Sequence, residues 1–178
     1  MRNDFMQLTK GFEQAACIIA LLATQNRQIP ISSQVIHDRI NGSQSYLQKL
    51  LRKLVIAGLI TSTSGNNGGF SLAKDPKNIT LLEIVEATEG EIKTYPDLGF
   101  IDLVFRDFRP LSQEATHVIN EAFHQADLRW CQYLQTKTVY QIIVDTFGST
   151  KIPLIDWNDP QNDAKKVLPK IQKLRVQK

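Results

Sequence analysis

The stretch Ile31–Leu72, ISSQVIHDRINGSQSYLQKLLRKLVIAGLITSTSGNNGGFSL, decides how this chain folds. Pro30 and then Ser32, a good N-cap, open a short helix whose buried stripe is Val35, Ile36 and Ile40. Asn41-Gly42 stops it. Ser43 is positioned to cap a second helix running to about Ala57, with Leu47, Leu50, Leu51 and Leu54 on one face and Gly58 as terminator. Beyond Gly58 the period drops from 3.6 to 2. Leu59 to Thr63 and Phe70-Ser71-Leu72 alternate around Gly65-Asn66-Asn67-Gly68-Gly69, which predicts a β-hairpin with a tight, glycine-rich turn.

Working outward, Leu8, Phe12, Ala15, Ile19 and Leu22 recur at spacings of four and three, so residues 9–24 are predicted as an amphipathic core helix. Thr80 with Glu83 forms a capping box for a helix carrying Leu81, Ile84, Val85 and Thr88 and ending at Gly90. Residues 91–110, with Pro96, Gly99 and Pro110, read as a connector holding one short helix at Asp102–Phe108. A long helix is predicted from Leu111 to about Thr136. Its stripe of Ala115, Ile119, Ala122, Ala126, Trp130 and Tyr133 exceeds what a small domain's own core needs, so the stripe is assigned to dimerisation with an identical helix. Tyr140–Phe147 is a short apolar element that packs back, and residues from Gly148 read as looser. The expected organisation is therefore a module at 1–90, a connector and dimerisation helix at 91–150, and a basic tail at 151–178.

Two helices joined by a tight turn and followed by a hairpin have the form of a winged helix-turn-helix, in which the second helix of the pair enters the major groove of DNA. The predicted fold class is thus mostly α with a small β-hairpin. On a helical wheel Ser45, Gln48, Lys49 and Arg52 lie opposite the leucines. Gln48 is the residue suited to a base edge, since its amide can bond adenine twice, while Lys49, Arg52 and Lys53 suit phosphates. Ser43, Gln44 and Tyr46 at the helix start, and Asn66 and Asn67 in the hairpin loop, complete the predicted DNA-binding set.

Charge and composition agree. The net charge of +3 divides into nine Lys/Arg against four Asp/Glu in residues 1–78, five against eleven in 79–150, and seven against three in 151–178. A basic first part suits a phosphate-backbone binder, and the acidic middle does not. The longest apolar stretch, Ala15–Ala23, is too short to span a bilayer, and no signal peptide is recognisable, so a cytoplasmic protein without membrane association is expected. Only Cys17 and Cys131 occur, which excludes a disulfide framework and an all-cysteine zinc site within one chain. The glycine-rich loop lacks the Lys-Ser/Thr of a nucleotide cradle, and no nucleophile or metal motif supports an enzyme. His117, His124 and Cys131 follow one another at seven-residue intervals, about 10.5 Å of helical rise, too far to share an ion within one helix, which leaves only a site across a dimer axis as an alternative. No metal site is assigned. Cys17, set among Ala16, Ile18 and Ile19, is expected to be a buried small hydrophobe, the alternative being a redox-sensing thiol. A second alternative, a winged-helix module that binds protein rather than DNA, stays open on the residues alone.

Together with NITLLEIVEATEG at residues 78–90, the stretch from Ile31 to Leu72 resembles the Rrf2 family of winged-helix regulators, whose members include IscR, NsrR and CymR. Ser45-Tyr46-Leu47, the Ala57-Gly58-Leu59 exit, Gly68-Gly69-Phe70 and the capping-box helix follow in the family's order over about 90 residues. The resemblance implies a dimer with crossing long helices that reads a roughly palindromic operator, as a repressor. It also marks two departures. Cluster-binding members carry three cysteines between the fourth helix and the dimerisation helix, whereas residues 91–106 contain none. An arginine beside the wing glycines is replaced by Ser64 and two asparagines. A regulator without an iron–sulfur cluster or other cofactor is expected, its effector unassigned.

Overall fold

Each α-helix of the first ninety residues begins on a hydroxyl that replaces a missing intrahelical acceptor, at Ser32, Ser43 and Thr80 as the sequence predicts and at Thr9 besides. In this computed structural model, which describes residues 7–65, 67–162 and Pro169, the Thr9 hydroxyl accepts from Gly11 N–H at the start of α1 (Lys10–Ala23). Ser32 caps α2 (Ser33–Ile40) by accepting from Val35 N–H, and Ser43 caps α3 (Gln44–Ile56) by accepting from Tyr46 N–H. Asn41, in the left-handed region with φ of 50°, turns the chain between α2 and α3. Thr80 and Glu83 form the expected reciprocal capping box of α4 (Leu81–Glu89).

α3 turns its four leucines inward, where they meet Ile18, Ile19, Ile31, Ile36 and Ile84 in one core. α2 is fastened more lightly than its sequence suggests. Ile36 is fully buried, but Val35 and Ile40 are only half-buried against the core. Full burial of one such side chain is worth about 1.5–3 kcal/mol, so Ile36 is the main apolar anchor of this helix.

Gly58, with φ of +67°, releases the chain from α3 into β1 (Ile60–Thr63), which pairs antiparallel with β2 (Gly69–Leu72) in the register Ile60↔Leu72 to Thr63↔Gly69. A third strip of backbone joins the hairpin. Ile31 N–H donates to Phe70 C=O at 2.9 Å, and Phe70 N–H donates to Ile31 C=O at 2.8 Å. The approach explains Gly69, because a Cβ there would lie 2.2 Å from the Ile31 carbonyl oxygen. The close backbone approach that the glycines permit is thus to the residue preceding the α2 cap.

Contacts divide the chain into two units: residues up to Gly90 together with those from Lys137 onward, and Glu91–Thr136. α7 (Val139–Phe147) therefore groups with the winged unit, not with the connector and long helix, and the boundary falls at 136 where the sequence suggested 150. The reason is backbone pairing: Val139 N–H donates to Ile79 C=O at 2.9 Å and Leu81 N–H to Lys137 C=O at 2.8 Å, which seats Val139 and Ile143 in the core. The second unit contains α5 (Phe100–Val104), a 3-10 turn at Arg106–Phe108, and α6 (Arg109–Gln135). The single short helix expected at Asp102–Phe108 is thus earlier and split. α6 has 27 residues, or about 40 Å of helix.

Cys17 is exposed, contrary to the buried position its sequence neighbours suggest. The helical period explains this. Ala15, Ile18, Ile19 and Leu22 make the buried face, and Cys17, two residues beyond Ala15, points away from it.

Candidate nucleic-acid interface

The exposed side of α3 carries Gln44, Ser45, Gln48, Lys49, Arg52 and Lys53, and the helix contains no acidic residue. Gln48 and Arg52 border a groove of about 640 Å³ whose other walls are Ser32 and Ser33 at the start of α2, and Ser62, Thr63 and Gly68 of the hairpin. No acidic side chain lines it. The groove thus brings together a helix N-terminus with its partial positive charge, a cation, an amide able to donate and accept, and several hydroxyls, which is the donor set that phosphates and base edges require.

Three of the expected contact residues have duties inside the protein. Ser43 uses its hydroxyl as the α3 cap. Tyr46 is half-buried against α1: its hydroxyl lies 2.7 Å from where a Cβ of Gly11 would sit, and Lys10 Nζ lies 5.4 Å from its ring centroid. Lys53 Nζ donates to the Thr88 carbonyl at 2.6 Å, in the last turn of α4. The Lys53 ammonium is therefore committed to a helix C-terminus, a favourable place for a cation. Asn67 is exposed in the hairpin turn, and Asn66 lies outside the described residues. Ser33, Ser62 and Thr63 border the groove without having been singled out by sequence. For Ser62 and Thr63 the signal was the run of hydroxyl residues on a strand of which only Ile60 is buried.

In the second unit the residues assigned to dimerisation are open. Ala122, Ala126, Trp130 and Tyr133 are exposed, while Ala115 and Ile119 are half-buried. Leu111 and Val118, 69% and 56% exposed, extend the same helical stripe at spacings of four and three.

A family model described as an iron-dependent transcriptional regulator, Rrf2, matches residues 8–145. The chain belongs to the Rrf2 family. It is 32% identical over 143 residues to YwgB of Bacillus subtilis (strain 168), named as an HTH-type transcriptional regulator, covering 80% of this chain and 87% of that one. Among solved structures, the IscR of T. potens is similar at a TM-score of 0.57 and 21% identity, covering 79% of this chain and 88% of that one. The global cysteine regulator CymR of B. subtilis is similar at 0.51 and 23%, covering 78% and 96%. At these identities the two structures speak for the fold, a winged helix, and the family for the activity: this Rrf2 protein is a DNA-binding transcriptional regulator and not an enzyme.

Iron dependence in the family raises the question of a cluster, and the residues here do not fit one. Residues 91–106 offer no thiolate. Thr94 instead donates through its N–H and hydroxyl to the two carboxylate oxygens of Asp127 at 3.1 and 2.7 Å. Tyr95 stacks on Phe123 at 5.1 Å between centroids, and Asn120 Nδ2 donates to Asp97 at 2.9 Å. These contacts all use side chains of α6: Asn120, Phe123 and Asp127. Among the described residues no three His, Cys, Asp or Glu side chains come close enough to share a metal ion, and no helix is long and apolar enough to cross a membrane.

Proposed function

We propose that this Rrf2 protein is a cytoplasmic repressor that binds a roughly palindromic operator as a homodimer, without an iron–sulfur cluster. The observation that carries the reading is the groove between α3 and the hairpin, with Gln48 and Arg52 on its wall and no carboxylate in its lining. Gln48 reads a base pair; Arg52, Lys49 and the hydroxyls of Ser33, Ser45 and Thr63 hold phosphates. A two-fold dimer duplicates this surface, and a duplicated reading head asks for a duplicated half-site. The exposed stripe on α6 supplies the apolar face such a dimer needs. Occupying the duplex is sufficient to exclude polymerase, so repression needs no further part.

The test is selection of genomic fragments by the purified protein at moderate salt, followed by titration of the retained site with the Gln48→Ala variant. The variant is expected to lose about 1–3 kcal/mol at the selected site and almost nothing on random duplex. Failure to retain any fragment above random competitor would remove the reading.

A further inference from the structure

Beyond residue 145, where the family match ends, a strap at residues 155–158 returns to the winged unit. Ile155 is buried and pairs with the α1–α2 loop: its N–H donates to Thr24 C=O at 2.9 Å, and its C=O accepts from Asn26 N–H at 3.1 Å. Trp157 Nε1 donates to the Thr24 hydroxyl at 3.0 Å. Gln25, 3% exposed, completes the anchorage, its Oε1 accepting from Trp157 N–H at 2.8 Å and its Nε2 donating to Asp156 Oδ1 at 3.2 Å. A buried amide is costly to leave unpaired, so the strap is fixed to the end of α1.

Anchored in this way, Asn158 meets the strip of backbone that enters α2. Ile31 gives both of its polar groups to Phe70 of the hairpin. In an extended strip the neighbouring groups point to the opposite edge, and there Asn158 takes both: its Nδ2 donates to Pro30 C=O at 2.9 Å, and its Oδ1 accepts from Ser32 N–H at 3.0 Å. A side-chain amide offers the same donor and acceptor as a peptide, so Asn158 acts as one more strand residue beside the hairpin. Asp156 Oδ1 accepts from Asn158 N–H at 3.0 Å and from its Nδ2 at 3.2 Å, which fixes the sense of the amide. At the other end of α2 the Arg39 guanidinium lies 4.5 Å from the Trp157 ring centroid. The strap thus touches both ends of a helix whose only fully buried apolar side chain is Ile36.

Ser32, Ser33 and Phe70 are walls of the groove that also holds Gln48 and Arg52. We infer that Asn158 is a positioning residue for DNA recognition: it fixes the start of α2 against the hairpin, and with it the spacing between the Ser33 wall and Gln48, without touching DNA itself. The inference rests on the DNA-binding reading above. Phosphate contacts set the register in which a base-reading side chain meets its base pair, so a loosened Ser33 wall costs discrimination before it costs general affinity.

The test is Asn158→Ala in the full chain, beside Ile143→Ala, which opens a cavity in the core at α7, away from the groove. Thermal unfolding confirms that each variant is folded. Amide hydrogen exchange of the free proteins is expected to show Ile31, Ser32 and Phe70 losing about tenfold or more of their protection in Asn158→Ala, with Leu50 and Leu54 of α3 unchanged. Fluorescence anisotropy should show operator affinity falling about tenfold in Asn158→Ala and random-duplex affinity by less than about twofold. The slope of log affinity against log salt should match the parent's, because no cation has been removed. Ile143→Ala should keep the parent's discrimination despite a lower unfolding temperature. Parental discrimination in Asn158→Ala, or an equal loss in Ile143→Ala, would overturn the positioning role while leaving the operator reading intact. A parent chain that binds no duplex would overturn both readings together.

Discussion

Arg52 and Lys53 are adjacent cations on α3, the helix proposed to face DNA, and their removal is expected to fail in different ways. Arg52 borders the groove; the Lys53 ammonium is already bonded to the Thr88 carbonyl. A phosphate contact adds about 0.9 to the slope of log affinity against log salt, which between 1 M and 0.15 M is about fivefold for one contact and about thirtyfold for the two of a dimer. Arg52→Ala should therefore weaken operator and random duplex by about thirtyfold at 0.15 M salt, flatten the slope by about two, and leave the unfolding temperature unchanged. Lys53→Met keeps the aliphatic stem and loses the bond to the end of α4. A partly exposed, charge-assisted bond of this kind is worth about 1 kcal/mol, or about 2–4 °C in unfolding temperature for a chain of this size. Its salt slope should match the parent. Anisotropy titrations at four salt concentrations beside thermal scans decide the matter. A Lys53→Met protein with a flattened slope and an unchanged unfolding temperature would refute the assignment of the two faces.

Val118→Asp places a carboxylate on the α6 stripe at a position 56% exposed in the protomer, so the protomer should tolerate it while a helix–helix seam should not. Sedimentation is expected to move from twice 20.2 kDa towards 20.2 kDa, with loss of operator affinity; a dimer with intact binding would sink the seam. Burial alone would push the Glu83 carboxyl up, but hydrogen bonds from the Lys74 ammonium and from Thr80 outweigh it and hold the group below its ordinary value of 4.5. With the folded value depressed, its stabilisation is present above about pH 4.5 and is lost as pH falls through the lower folded value. Glu83→Gln should therefore lower stability at neutral pH and flatten its decline in acid, and urea midpoints from pH 6 to 3 that run parallel to the parent's would contradict this.

What the sequence made legible was mostly local. The caps at Ser32, Ser43 and Thr80 join residues three apart, and the leucines of α3 repeat at the helical period, so these elements were readable without knowing what they pack against. What was not legible has a different cause. The bond from Lys53 to the Thr88 carbonyl could not be read from the sequence because its partner lies 35 residues away. α7 looked like part of the connector because its place is set by backbone pairing with Ile79 and Leu81. The strap escaped notice because Asp156, Trp157 and Asn158 have no periodicity, only partners more than 120 residues earlier in the chain. Cys17 was the avoidable case, since the helical period already places it opposite the buried face.

α6 buries polar residues and leaves apolar ones open, against its composition. Its two buried residues are Ser112 and Asp127, each bonded within the unit, to Asp102 at 2.6 Å and to Thr94. Leu111, Val118 and Tyr133 stand open, at 69, 56 and 61% exposure. A helix in a self-sufficient unit buries its apolar stripe, and soluble monomers rarely leave a long contiguous one in water. Here the inward side is satisfied by hydrogen bonds and the Tyr95–Phe123 stack, which leaves much of the apolar stripe, Leu111 and Val118 above all, unburied inside Glu91–Thr136. The polar inward side fixes the connector on the helix, and the apolar outward side favours a second copy presenting the same stripe, because a two-fold axis lets one sequence supply both halves of the seam. The 3.6-residue period identifies the stripe in either case; that the opposite side is already occupied is what makes the dimer reading the economical one.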